Sequence, residues 1–220
     1  QAPPLVDGWI GKVSALQAGY RQIERDMSDV VISVDADVHF ERDAIVKAVN
    51  TLLENRLDFI SPYPRQIAVT FLERVTQPLL QWSWFASLPL RLAEKLRKPS
   101  MVVANGQFFI VKRSAYLKAG GHEAIKSEVL DDLELGRSLV RSGFSGGVAD
   151  GSKIAMCRMY NNSVELVEGY SKSQWRAFGS PFGSALAVLI LFSTSILPIA
   201  LGLSGQILGW YGYFALVASR

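Results

Sequence analysis

The chain has 220 residues, 49% of them hydrophobic and 20% charged, with a net charge of +3. That length suits one domain plus an attached segment, and the positive excess is too small to argue for nucleic acid; it suits a surface near anionic lipid at least as well. A single cysteine, Cys157, excludes an intrachain disulfide, which fits a reducing compartment.

In chain order, the N-terminal stretch QAPPLVDGW lacks the basic and long apolar runs of a signal peptide. Trp9 to Arg25 reads as a helix, with Val13, Leu16, Gln17 and Tyr20 at helical spacing. Asp29-VVISV-Asp35 is a short apolar run rich in β-branched residues, as in a buried parallel strand. It ends in Asp35-Ala36-Asp37. Helical periodicity returns from Arg42 to Asn55, and Leu57 to Ser61 is a second strand. This βαβ rhythm predicts an α/β domain with a mainly parallel sheet flanked by helices.

Gln66 to Lys98 is long and aromatic, with Phe71, Trp82, Trp84 and Phe85, and has a basic end at Arg91, Lys95, Arg97 and Lys98. It reads as helices broken at Pro78 and Pro89, either packed on the sheet or lying in a membrane interface. Met101 to Lys112 reads as a strand, with Asn105-Gly106 marking a turn or a close backbone approach. Glu128 to Arg141 reads as a helix with acids near its start, Gly143 to Gly151 as a turn-rich loop, and Lys153 to Met159 as a strand. Val164 to Phe178 is a helix leading into the last segment.

From Ala177 to Ser219 no Asp, Glu, Lys, Arg or His occurs. A bilayer crossing needs about 20 apolar residues, so this stretch predicts a transmembrane hairpin with spans at 183–203 and from 207 onward, turning at Ser204-Gly205-Gln206. Arg158, Lys172 and Arg176 on its N-terminal flank put the preceding domain, residues 1–176, on the cytoplasmic side by the positive-inside rule.

The sharpest chemical feature is Asp35-Ala36-Asp37 at the end of the apolar strand. Ligand sites of open α/β sheets lie at strand carboxyl ends, and two packed carboxylates repel unless a cation joins them. Oxygen donors favour Mg²⁺ or Mn²⁺, completed by substrate phosphates. The alternative is a solvated strand-to-helix turn, with Asp37 or Asp43 capping the next helix. Asp131-Asp132, with Glu128 and Glu134 nearby, is a second acidic constellation. It either serves the helix dipole or supplies a base for an acceptor hydroxyl. Lys12 could meet a phosphate or nucleobase or be a solvated helix residue. Arg158, Lys172 and Arg176 could neutralise a leaving diphosphate or flank the membrane. His39 and His122 lack metal-ligand spacing and read as loop residues.

The order of these motifs resembles glycosyltransferase family 2, of the GT-A (Rossmann-like) fold. The matching features are Gly8-Trp9-Ile10-Gly11-Lys12 with Ala15 and Gly19; VISVDAD ending at Asp37; Gly106-Gln107-Phe108-Phe109-Ile110 with Arg113 and Tyr116; Gly120-Gly121-His122; and Glu128-Val129-Leu130-Asp131-Asp132-Leu133-Glu134-Leu135. They cover about residues 8–176, and the membrane-attached ceramide, hopanoid-pathway and carotenoid-acid groups look most alike. The resemblance implies that Asp35 and Asp37 hold the metal and the donor diphosphate, Asp37 as the more direct ligand. It implies Asp132, the second acid of the Asp131-Asp132 pair, as general base, Lys12 in the donor pocket, and Gly106 and Gln107 lining the sugar or acceptor site. It also implies inversion at the anomeric carbon, a UDP-sugar donor, a lipid-like membrane acceptor and a bacterial inner membrane.

Two departures stand out. The family's first strand and nucleobase-binding loop should precede residue 8, so the chain reads as an N-terminally truncated fragment. The Q-x-x-R-W motif of some relatives is replaced by Ser173-Gln174-Trp175-Arg176, which favours single-sugar transfer over processive synthesis. The rival readings are a processive polysaccharide synthase and a catalytically inactive membrane-anchored binding or assembly subunit.

Overall fold

The computed structural model describes residues 4–5, 7–26, 28–87, 90–177 and 180–218, without the side chains of residues 80, 82–91, 94 and 172–179. The aromatic side chains of Trp82, Trp84 and Phe85, and the basic ones of Lys172 and Arg176, therefore lie outside the described residues. The chain divides into two compact units, Gln1–Leu166 and Val167–Arg220.

The first unit is mixed α/β. Helix α1 (Gly11–Ile23) leads to β1 (Val30–Val34), β2 (Val38–Phe40), α2 (Ala44–Glu54), β3 (Phe59–Tyr63) and β4 (Arg65–Gln66). Next come α3 (Phe71–Ser87), α4 (Leu90–Leu96), β5 (Phe108–Lys112), α5 (Arg113–Lys118), α6 (Asp131–Arg141), β6 (Gly146–Asp150) and β7 (Ala155–Cys157). The main sheet has the order β1-β5-β3-β6. Alternation along its strands fills two cores. Val31, Phe59, Phe109 and Val111 pack with Val13, Leu135 and Leu139, while Ile60, Phe108 and Ile110 pack with Ala48 and Leu52. Both faces are thus covered by helices, as the continuous apolar strands require.

The expected mainly parallel sheet is a mixed one. β1, β3 and β6 run one way, but β5 lies antiparallel between β1 and β3. A second small sheet, β2-β7-β4, is also mixed. The expected strand from Met101 to Lys112 forms only from Phe108. Upstream, the backbone groups are taken by side chains: Asn105 N–H donates to Ser61 Oγ at 2.8 Å and Gly106 N–H to Asp132 Oδ2 at 2.7 Å, so no ladder can form there.

The expected loop at Gly143–Gly151 contains β6 instead. A Cβ at Gly146 would lie 2.0 Å from the Phe59 carbonyl, so glycine here permits the close strand pairing that its turn-like composition disguises. Pro78 does not break its helix; α3 continues from Phe71 to Ser87 with Pro78 on its exposed side.

The second unit takes in α7 (Ser163–Ala177) from Val167 onward. It continues as α8 (Pro181–Leu191), a π-turn (Phe192–Ile196) and α9 (Leu197–Leu203), together one apolar run of 23 residues with mean hydropathy 2.4. This run is long and apolar enough to cross a membrane. After the turn at Ser204-Gly205, α10 (Ile207–Ala218) packs back on α9. Its 12 residues are fewer than a crossing needs.

Candidate functional site

Asp35-Ala36-Asp37 is where the chain leaves one sheet for another. Asp35 N–H donates to the Gln107 carbonyl at 3.1 Å, and Val38 N–H to the Asp35 carbonyl at 3.2 Å. This tight turn carries the chain from β1 directly into β2, so the segment is a strand-to-strand corner and not the strand-to-helix turn considered as its alternative. Asp43 precedes α2 without a side-chain capping bond and pairs with Lys47 at 2.8 Å.

Lys12, in the first turn of α1, reaches into this corner. Its Nζ lies 3.1 Å from Asp35 Oδ1 and 3.6 Å from Asp131 Oδ2. Gly106 makes room for it: a Cβ there would sit 3.0 Å from Lys12 Nζ and 3.3 Å from the Asp132 Cβ. The expected close approach at Asn105-Gly106 is thus real, and what approaches is a side-chain ammonium. Asp132 ties the same loop to α6, accepting from Gly106 N–H at 2.7 Å and from Leu133 N–H at 2.7 Å. Segments as distant as residues 12, 35, 106 and 131–132 therefore meet at one point.

Asp37 stands on the other side of the corner, where Cys157 Sγ donates to its Oδ2 at 3.3 Å. Gln107 Nε2 donates to the same sulfur at 3.1 Å, and Gln66 Nε2 to Gln107 Oε1 at 2.7 Å. Gln107 is thus a buried strut behind Asp37. Sequence reasoning gave no role to Cys157, Gln66 or Ser61; the only signal was a lone cysteine next to Arg158.

Electrostatics follow from the crowding. Burial raises the Asp131 carboxyl above the usual range, with the charge of Asp35 adding to it and Lys12 opposing. Burial, then the charge of Asp131, pushes Asp132 up to about 6. Burial alone would lower Lys12, but the attraction of Asp131 and Asp35 outweighs it and the ammonium is held more firmly charged. Burial and the Asp37 carboxylate push the Cys157 thiol up to about 12, so it remains a protonated donor. One ammonium among four carboxylates leaves the corner net negative and attractive to a further cation.

Among the described residues, no group of three or more His, Cys, Asp and Glu side chains is arranged to hold a metal ion. The donor set at Asp35 and Asp37 is two carboxylates. Carboxylate oxygens are the donor type that a hard divalent ion takes together with phosphate and water.

Other candidates fall elsewhere. Glu134 pairs with Arg137 at 2.5 Å and Arg141 at 3.6 Å, and Glu128 is exposed. Arg158 lies 3.9 Å from Glu73 and donates to the Asn161 carbonyl at 3.2 Å; its described partners include none of the four aspartates. His39 is exposed on β2. His122, expected as a loop residue, is buried in a one-turn 3-10 helix, its Nδ1 2.7 Å from Tyr116 Oη. Burial, then the charge of Lys12, lowers it to about 4, so it is a neutral brace beneath α1.

No family model and no curated protein matches the chain.

Proposed function

We propose that the chain carries the catalytic corner of a membrane-attached, inverting sugar transferase using a nucleotide-sugar donor, whose phosphates meet Lys12 at this corner. The observation that supports the reading is the convergence of Asp35, Asp131 and Asp132 on Lys12 and Gly106. One acid from each of two pairs far apart in sequence meets the same lysine, Asp35 and Asp131 on Lys12, with no structural need to do so.

Asp35 and Asp37 would hold Mg²⁺ or Mn²⁺, which when bound supplies charge stabilisation for a departing nucleoside diphosphate. Lys12 gives the donor phosphates a second positive group. Asp132 acts as general base toward an acceptor hydroxyl, since a carboxyl raised to about 6 is deprotonated at neutral pH yet more basic than an ordinary aspartate. Asp131, held against Lys12, keeps the ammonium in place and raises its neighbour. Gly106 keeps the floor of the site open, and Gln107 fixes the corner from behind. The acceptor is a membrane lipid-like molecule and the donor a UDP-sugar. The helix Pro181–Leu203 anchors the chain, with α10 beginning a second crossing and the catalytic unit facing the cytoplasm.

Asp37→Ala in the full-length protein tests this reading. Sugar transfer should be lost, together with its dependence on added Mn²⁺. Near-normal, metal-dependent turnover would remove Asp37 from the site.

A further inference from the structure

The first part of helix α3, Phe71–Leu79, is turned inside out. Phe71, Arg74, Val75, Pro78 and Leu79 recur at helical spacing and all face outward, with Phe71 82%, Val75 49% and Leu79 52% exposed. The side turned inward carries Glu73, 0% exposed, and Gln77, 3% exposed. A helix in water does the opposite, burying its apolar stripe and leaving its polar one outside. Here the inward groups are not even fully satisfied: among the described residues, Glu73 Oε1 meets only Arg158 at 3.9 Å, too far for a hydrogen bond, and both amide atoms of Gln77 are without a hydrogen-bond partner.

What fixes the orientation is polar. Glu73 Oε2 accepts from Val69 N–H at 2.6 Å and Thr70 N–H at 3.2 Å, while Thr70 Oγ1 accepts from Glu73 N–H at 3.3 Å. This reciprocal cap, with Arg158 beside Glu73, clamps the start of the helix and holds the apolar stripe outward. Beyond it, α4 presents exposed Leu92 and Leu96, and Lys95, Arg97 and Lys98 follow as exposed cations.

We propose that this face is a lipid-docking surface: the Phe71–Val75–Leu79 stripe enters the interface of an anionic bilayer, and Lys95, Arg97 and Lys98 engage the headgroups. Apolar stripe and cations together match such a surface, which rewards buried apolar area and positive charge at once. The same chain carries an apolar helix of 23 residues, long and apolar enough to cross a membrane, which favours lipid as the occupant. A soluble partner protein would need no run of exposed cations after an apolar stripe. The inference stands whether or not the chain transfers sugar.

The test uses the full chain reconstituted in vesicles, with an environment-sensitive fluorophore on Phe71→Cys, Val75→Cys or Leu79→Cys, and on Lys118→Cys as an exposed control on α5. Cys157 is buried and does not compete for the label. In phosphatidylglycerol-containing vesicles the three α3 labels should shift to the blue and lose intensity to lipid-borne spin labels, while the Lys118 label does neither. The triple variant Lys95→Gln, Arg97→Gln, Lys98→Gln should abolish the difference between anionic and neutral vesicles. Labels on α3 that behave like the control overturn the proposal. So does a blue shift that ignores spin-labelled lipid but grows with protein density, which assigns the face to a second copy of the chain.

Discussion

Helix α6 buries Leu135, Gly136, Leu139 and Val140 and keeps Glu134, Arg137 and Arg141 in ion pairs near the surface, whereas α3 buries Glu73 and Gln77 and exposes Phe71, Val75 and Leu79. The first is held by apolar burial and presents Asp131 and Asp132 from a rigid first turn. The second is held by a polar clamp at its N-terminus. Residues of similar type thus serve opposite ends: a platform for the proposed chemistry, and a surface whose proposed partner lies outside the fold.

This contrast is open to attack by substitution. Leu139→Ala, at a position with no exposed surface, should cost about 2–5 kcal/mol through lost burial and the cavity left behind. A lowered thermal midpoint of the detergent-solubilised chain reads this out. If the midpoint holds, α6 is not the platform described.

Acid should weaken the same platform through His122. Its folded value near 4 lies below the ordinary 6.5, so the unfolded chain binds the proton more readily. The stability it contributes is present above about pH 6.5 and is lost as pH falls through about 4, a loss of up to about 3 kcal/mol. Asp132, raised to about 6 from 3.8, works in the other direction: its contribution is present below about pH 3.8 and lost as pH rises through about 6. The His122 part is therefore read as the difference between the pH–stability curves of the unaltered chain and His122→Gln. Parallel curves between pH 7 and 4 would dismiss it.

The smallest effect belongs to α3. Leu79→Ala should leave the thermal midpoint in detergent almost unmoved, within about 0.5 kcal/mol, as for other exposed sites. A cost approaching that of Leu139→Ala would mean that Leu79 is packed against protein and the contrast is false.

Much of this was legible in the sequence. The VVISV run, the helices beginning near Gly11 and Ala44, and the apolar segment from Pro181 all follow from periodicity and composition. So did the glycine at position 106, flagged as a close approach. The antiparallel β5 was not legible, because the direction of a buried apolar strand leaves no mark on its composition. β6 was hidden by glycines that serve strand pairing, and the sulfur bridge from Gln107 through Cys157 to Asp37 joins residues 120 positions apart. The outward stripe of α3 was left open between packing on the sheet and lying in a membrane interface, because an apolar stripe gives its spacing but not the side it faces.

The central claim is that Asp132 serves a proton transfer at the corner where Lys12, Asp35 and Asp131 meet. Asp132→Asn in the full-length protein tests it most directly, with calorimetric binding of a UDP-sugar and Mn²⁺ measured beside transfer to membrane lipid. The account predicts donor affinity close to that of the unaltered protein and transfer slower by about 100- to 10,000-fold. Transfer at a near-normal rate would contradict it.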